Sequence, residues 1–170
     1  MEKEKLYRRI KQEMRYVSYL EYDPSGERYK SLWVTNVEND ILDECIQQLQ
    51  KNKEKGLPDF ELIVVDAENI ANGSFPQNLP IVGTNLLYRP NEDIPALSME
   101  ELKYGILYIR NITEENYERF PFNFTYNLSK NHSIGKYLLN PHFLIVCGIP
   151  NHNFHLDVQG IFSHVDKSEL

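Results

Sequence analysis

Cysteine is scarce in this chain. Among the 170 residues only Cys45 and Cys147 are cysteines, and neither belongs to a Cys-x-x-Cys pair. Cys45 falls within a helical pattern and Cys147 within an apolar run, so both are expected to be small buried side chains. The sequence therefore predicts neither a disulfide framework nor a zinc finger, and a protein that does not respond to reductant.

Long apolar runs are also missing. The longest has about five residues, whereas a membrane-spanning helix needs about 20. The first residues, Met1 to Lys5, contain no apolar segment of the kind found in secretory signals. We therefore expect a cytoplasmic protein with no membrane partner.

The motifs of several large enzyme classes are absent. The sequence contains no Gly-x-x-x-x-Gly-Lys-Ser/Thr loop, no Gly-x-Gly-x-x-Gly and no Gly-x-Ser-x-Gly. The first two hold phosphates on backbone amides, and the third presents a nucleophilic serine. Their absence disfavours ATPases, NAD-dependent enzymes and serine hydrolases.

Positive charge is outnumbered by negative charge. The chain has 18 Lys and Arg against 25 Asp and Glu, for a net charge of −7. Its dense basic runs, Lys3 to Arg15 and Lys51 to Lys55, are interleaved with acids, whereas duplex-binding proteins present a basic stripe. Nucleic acid is therefore disfavoured as a partner. An acidic surface with 11 tyrosines fits a basic protein partner. Our first hypothesis is a protein-binding module, inhibitor or immunity-like, that acts through this acidic, Tyr-rich surface.

Composition and periodicity predict one globular domain over residues 1–170. Hydrophobic residues make up 41% and charged residues 25% of the chain, which is typical of a globular protein. Apolar residues at helical spacing predict two longer helices, over 2–15 and 39–55. Shorter helices are predicted over 114–119 and 134–139.

Hairpins are predicted at both ends of the chain. Strand-like runs at 16–22 and 28–35 flank a Pro- and Gly-containing turn, and 153–166 has the pattern of a second hairpin. With hairpins at both ends and more strands than helices, we expect an α+β fold with a mainly antiparallel or mixed sheet.

Two of the five histidines lie in the predicted C-terminal hairpin. If Gln159-Gly160 forms its turn, His155 faces His164 across the ladder, and Asp157 lies on the same face. Two imidazoles and a carboxylate suit a divalent metal, and they also suit general acid–base catalysis. An edge hairpin equally needs polar residues on its outer face, and we expect this face to be solvated.

A second candidate site follows the apolar run that ends at Asp66. The sequence Asp66-Ala-Glu-Asn69 places Asp66 and Glu68 at the end of a predicted buried strand. Paired carboxylates there suit a divalent metal, which makes a metal-dependent phosphoesterase or nuclease the alternative function. Acids and Asn are equally expected where a strand passes into a polar turn.

Aromatic residues concentrate in the segment 117–137. Phe120, Phe122, Phe124 and Tyr126 alternate with other residues in a strand-like pattern. Two interpretations stay open, a loop or strand that packs its aromatic rings into the core and a protein-binding surface with aromatic anchors.

Overall fold

The computed structural model describes residues 2–19, 31–51, 60–75, 77, 79–84, 104–157 and 163–170. In chain order the helices and strands are α1 (Glu2–Tyr19), β1 (Ser31–Thr35), α2 (Asn39–Lys51), β2 (Glu61–Asp66), α3 (Ala67–Ala71), β3 (Ile81–Thr84), β4 (Gly105–Arg110), α4 (Glu114–Tyr117), α5 (Phe124–Asn131), β5 (Ser133–Ile134), β6 (Tyr137–Leu139), β7 (Phe143–Ile149) and β8 (Ser163–Asp166). A 3-10 turn, Lys167–Glu169, follows β8.

Five of the strands form one parallel sheet. Their order across the sheet is β2-β4-β7-β1-β8, and every neighbouring pair is parallel. Parallel sheets are covered on both faces, so their strands are continuous apolar runs. All seven residues of β7 are buried, as are all five of β1. The remaining strands form a small antiparallel sheet in the order β3-β6-β5.

The two faces of the parallel sheet are covered by different elements. One face packs against α1 and α2, where Leu6 and Leu49 join Leu32 and Val146 in one apolar cluster. The other face packs against α3, α5 and the small sheet, in a cluster that includes Trp33. The arrangement is therefore an α/β sandwich of three layers with the parallel sheet in the middle.

The predicted α+β fold with terminal hairpins is wrong. Residues 16–19 are the last turn of α1, and the strand expected to pair with them, β1, lies between β7 and β8. At the other end, residues 153–157 form no strand, and β8 pairs in parallel with β1. Local alternation indicates a strand but not its partner, and these partners are distant in sequence. Residues 20–30 and the expected turn Gln159-Gly160 lie outside the described residues.

The helix predictions fare better than the hairpins. The prediction for 39–55 is confirmed from Asn39 to Lys51, and residues 52–59 lie outside the described part. The helix predicted over 2–15 extends to Tyr19. The helix predicted over 134–139 is instead part of the β5–β6 hairpin, in which Gly135 has a φ of 56°. No helix in the described ranges is long and apolar enough to span a membrane, and one domain over residues 1–170 stays a prediction.

Candidate functional site

The parallel sheet brings the carboxyl ends of its five strands to one edge. Open α/β sheets bind ligands outside this edge, where neighbouring strands send their connections to opposite faces. Here β1 leads into α2 on one face, whereas the chain after β7 packs Phe154 and Leu156 on the other. The connections therefore diverge between the ends of β1 and β7.

Asn36 closes the space between these two strand ends. Its backbone N donates to Ile149 O at 2.8 Å, and its side-chain Nδ2 donates to Asp166 Oδ1 at 2.7 Å. Its Oδ1 accepts from the backbone N of His152 at 2.9 Å. Asn36 has a φ of 62°, a left-handed conformation that Asn tolerates better than most residues. Through its backbone and its side chain, Asn36 thus links the ends of β1, β7 and β8.

The link from β1 to α2 is too short and too acidic to cradle a phosphate. It consists of Asn36, Val37 and Glu38, with no glycine. Val37 is buried, and Glu38 places a carboxylate just before the first residue of α2. A phosphate at a helix N-terminus needs free backbone amides and no competing anion. The geometry therefore agrees with the missing phosphate-binding motifs.

A hydrogen-bonded chain of side chains runs from β1 to β8 at the same edge. Thr35 Oγ1 donates to Asp166 Oδ1 at 2.7 Å. A hydroxyl has one hydrogen, so His164 Nε2, which lies 2.7 Å from Thr35 Oγ1, is the donor in that bond. Hydrogen bonds from Thr35 and from the amide of Ser168 hold the pKa of Asp166 well below its usual range. His164 therefore carries a proton on Nε2. The hydroxyl of Thr35 links His164 by two hydrogen bonds to the ionised carboxylate of Asp166.

His152 lies next to Thr35, His164 and Asp166, and we call these four residues the histidine cluster. Its ring lies 6.4 Å from that of His164, centroid to centroid and perpendicular to it, and 5.6 Å from the ring of Phe154. Its Nε2 is buried and has no hydrogen-bond partner among the described residues. Burial and the neighbouring His164 lower the pKa of His152, and Asp166 only partly opposes them. His152 is therefore neutral at pH 7.

The structure does not place His155 opposite His164 on paired strands, so the predicted site of His155, Asp157 and His164 does not form as a hairpin face. His164 has Trp33 of β1 as its register partner, and His155 is exposed on a segment that is not a strand. Across the described ranges, no three His, Cys, Asp or Glu side chains converge on a possible metal position. The metal site stays a prediction, without a described set of ligands behind it.

Asp157 instead supports a helix. Its carboxylate accepts from the backbone N of Thr125 at 3.1 Å and of Tyr126 at 3.2 Å, and from the hydroxyl of Tyr117. Asn123 precedes α5 but makes no side-chain capping bond, so Asp157 caps this helix from a distant segment. Partial burial raises the pKa of Asp157, but the hydrogen bonds outweigh it and leave the pKa below its ordinary value.

Asp66 and Glu68 also have structural partners. Asp66 Oδ1 accepts from the backbone N of Glu68 at 2.8 Å and so caps α3. Glu68 forms an ion pair with Arg119. Arg110, the register partner of Asp66, donates through Nε to Asp43 at 3.0 Å. The two predicted carboxylates thus lie at the carboxyl edge, as expected, but each is already engaged by the protein.

An open groove lies beside this edge, between α4 and the chain that follows β7. It has a volume of about 490 Å³ and is lined by Thr113, Glu114, Glu115, Glu118, Asn151 and Asn153; we call it the acidic groove. Three of these lining residues are acids. The helix dipole favours acids in the first turn of a helix, which accounts for Glu114 and Glu115. Glu118 lies at the opposite end of α4, where the dipole disfavours an acid. None of the three acids forms an ion pair with a described residue.

The aromatic segment next to the groove divides between core and surface. Phe120 and Phe124 are buried and pack together, with centroids 4.6 Å apart. Phe122 is 85% exposed and Tyr126 is 42% exposed. The core interpretation therefore holds for Phe120 and Phe124, whereas a protein-binding surface at Phe122 and Tyr126 stays a prediction. The strand-like alternation is wrong because α5 begins at Phe124.

The functional candidates that sequence reasoning missed are Thr35, Asn36 and the three groove acids. Residues 114–119 were expected to be a short helix, and a further signal was available there. Three acids within five residues directly follow a buried strand. For Thr35 and Asn36 no local signal exists, because their partners lie more than a hundred residues away.

Comparisons with known proteins add no relative: the chain matches no protein-family model, no curated protein and no solved structure.

Proposed function

We propose that the protein is a protein-binding module whose acidic groove receives a basic segment of a partner protein. The observation that carries this proposal is the placement of Glu114, Glu115 and Glu118 in one open groove without a described cationic partner. The net charge of −7 supports the same choice of partner. Inhibition of a basic partner, as by an immunity-like protein, is the form of this function that we favour.

Electrostatics in the groove favours a cationic guest. Three neighbouring carboxylates repel one another, and a Lys or Arg side chain between them relieves that repulsion. Exposed ion pairs contribute about 0.2–1 kcal/mol each, so three contribute about 0.6–3 kcal/mol, or roughly 3- to 150-fold in Kd. Asn151 and Asn153 on the opposite wall offer amide donors and acceptors to a peptide backbone. Phe122 and Tyr126 follow α4 in the chain. Both have exposed aromatic rings, which suit the role of anchors for a bound peptide.

A labelled Lys- and Arg-rich peptide is the probe for this proposal. The variant Glu114→Gln/Glu115→Gln/Glu118→Gln should bind it about tenfold more weakly than the parent protein, measured by fluorescence anisotropy at low salt. The matched control is Glu4→Gln/Glu38→Gln/Glu61→Gln, which changes the net charge equally at three exposed positions elsewhere. Equal losses in both variants would mean that overall charge, not the groove, attracts the peptide. No binding to the parent protein would end the proposal.

The metal-dependent phosphoesterase or nuclease remains the alternative proposal, with Asp66 and Glu68, or else His155, Asp157 and His164, as its candidate residues. Elemental analysis of the purified protein separates the two functions. A stoichiometric divalent metal that is lost in Asp66→Asn would favour the enzyme. A cytoplasmic location is proposed with the binding function and is tested by fractionating cells that express the chain.

A further inference from the structure

We infer that His152 makes the acidic groove pH-sensitive: proton uptake by its ring loosens residues 151–153 from the sheet edge and weakens binding of the basic segment. This inference names the regulation of the proposed binding site and rests on that function for its binding readout. The loosening itself can be measured without any peptide.

Residues 151–153 lie between the groove and the histidine cluster. Asn151 and Asn153 line the groove, whereas the ring of the intervening residue, His152, packs against His164 and Phe154. The backbone N of His152 is held by Asn36. A displacement of the His152 ring is therefore transmitted to both Asn side chains, because they are its immediate chain neighbours.

Protonation is costly in this environment. Neutral His152 has a buried Nε2 without a described partner, and the protonated ring would place a charged N–H there. His164 repels the charge from β8, and His155 repels it from the same segment. Asp166 attracts it, but Asp166 Oδ1 already accepts from Thr35 and Asn36. A protonated ring is better accommodated in water than in its present position.

The direction of the effect follows from linkage. Burial and His164 lower the pKa of His152, so the folded protein binds fewer protons than the unfolded chain below about pH 6.5. The contribution of neutral His152 to stability is complete above about pH 6.5. It falls as the pH drops toward the lowered pKa that His152 has in the folded protein. Asp157, which anchors the far end of the segment, stays ionised over this range because its pKa lies below the ordinary value. Loosening is therefore expected at residues 151–153 and not at the Asp157 cap.

Hydrogen exchange tests the loosening in the free protein. Between about pH 7.5 and about pH 5.5, the protection factors of residues 151–154, corrected for intrinsic rates, should fall about tenfold. Those of α5 should not change. The variant His152→Gln should remove this dependence on pH, and the control His155→Gln should retain it. An unchanged protection factor in the parent protein, or the same pH dependence in His152→Gln, would overturn the inference.

The labelled Lys- and Arg-rich peptide then separates the two proposals. Its Kd for the parent protein should rise about fivefold between the same two pH values, more than for His152→Gln. Loosening without any peptide binding would contradict the proposed function and leave the histidine switch standing. Peptide binding whose pH dependence is the same in His152→Gln would support the proposed function and contradict the histidine switch.

Discussion

Replacement of Asp157 by Ala tests whether this residue supports α5 from outside the helix. The change removes the acceptor for the backbone N atoms of Thr125 and Tyr126, which are the free donors at the start of α5. Loss of an N-terminal cap costs about 0.5–2 kcal/mol. The hydroxyl of Tyr117 keeps its 2.7 Å contact with Thr125 Oγ1, so it is not left without a partner. We therefore expect Asp157→Ala to lower the free energy of unfolding by about 1–2 kcal/mol.

Thermal unfolding followed by circular dichroism gives the measurement. In a chain of this size 1 kcal/mol corresponds to about 2–4 °C, so the Tm should fall by about 2–8 °C. His155→Ala is the matched control, because His155 is exposed on the same segment and should change the Tm by less than about 2 °C. A Tm of Asp157→Ala equal to that of the control would refute a capping role.

The pH dependence sharpens this test. The folded pKa of Asp157 lies below its ordinary value, so its contribution to stability is complete above about pH 3.9 and is lost as the pH falls through the folded pKa. The difference in stability between the parent protein and Asp157→Ala should therefore shrink at about pH 2–3. A difference that is equal at neutral and acid pH would show that Asp157 acts through something other than its charge.

Four further predictions concern the core, the thiols and nucleic acid. Leu49 is fully buried, and Leu49→Ala should cost about 2–5 kcal/mol in chemical denaturation; an unchanged midpoint would show that this face of α2 is not packed. A Cβ on Gly105 would lie 2.4 Å from the ring of Phe143 and 2.7 Å from Glu61 O, so Gly105→Ala should destabilise by about 1–3 kcal/mol in the same assay. Cys45 and Cys147 are both buried and free, so reductant should leave the Tm and the non-reducing gel mobility unchanged. Nucleic acid should bind weakly and with strong salt dependence, and nanomolar affinity in a filter-binding assay at physiological salt would contradict the choice of a protein partner.

Helix α2 shows what a local pattern can predict. Its buried residues, among them Leu42, Ile46 and Leu49, recur at helical spacing, each about one turn from the next. The spacing of apolar residues along one helix depends only on nearby positions, so the helix and its buried face can be predicted from the sequence. The burial of both cysteines followed from the same local reasoning and is confirmed.

Strand β8 shows where that reasoning fails. Ser163–Asp166 alternates as a strand should, and local pattern alone predicts that it pairs with the nearest strand-like run, at 153–158. The true partner is β1, in parallel register with Leu32 opposite Ser163. A clue was available, because β7 is apolar throughout, and strands of that kind are typical of parallel sheets buried on both faces.

The candidate site was predictable only in part for the same reason. Asp66 was expected at a strand end and lies there. The cluster of Thr35, Asn36, His152 and Asp166 depends on β1 lying next to both β7 and β8, which no local pattern shows. The acidic groove likewise forms only because β4 and β7 are neighbours, so that the segments after them face each other.

The acidic groove is tested most directly by a hydrogen-exchange footprint of the labelled Lys- and Arg-rich peptide on the parent protein. At a saturating peptide concentration, amides of residues 113–118 and 151–153 should gain protection, whereas those of α1 and β2 should not. The same footprint should be clearly weaker in Glu114→Gln/Glu115→Gln/Glu118→Gln at the same peptide concentration, because that variant binds the peptide less tightly. Protection confined to other segments, or no change at saturation, would contradict the claim that this groove is the binding site.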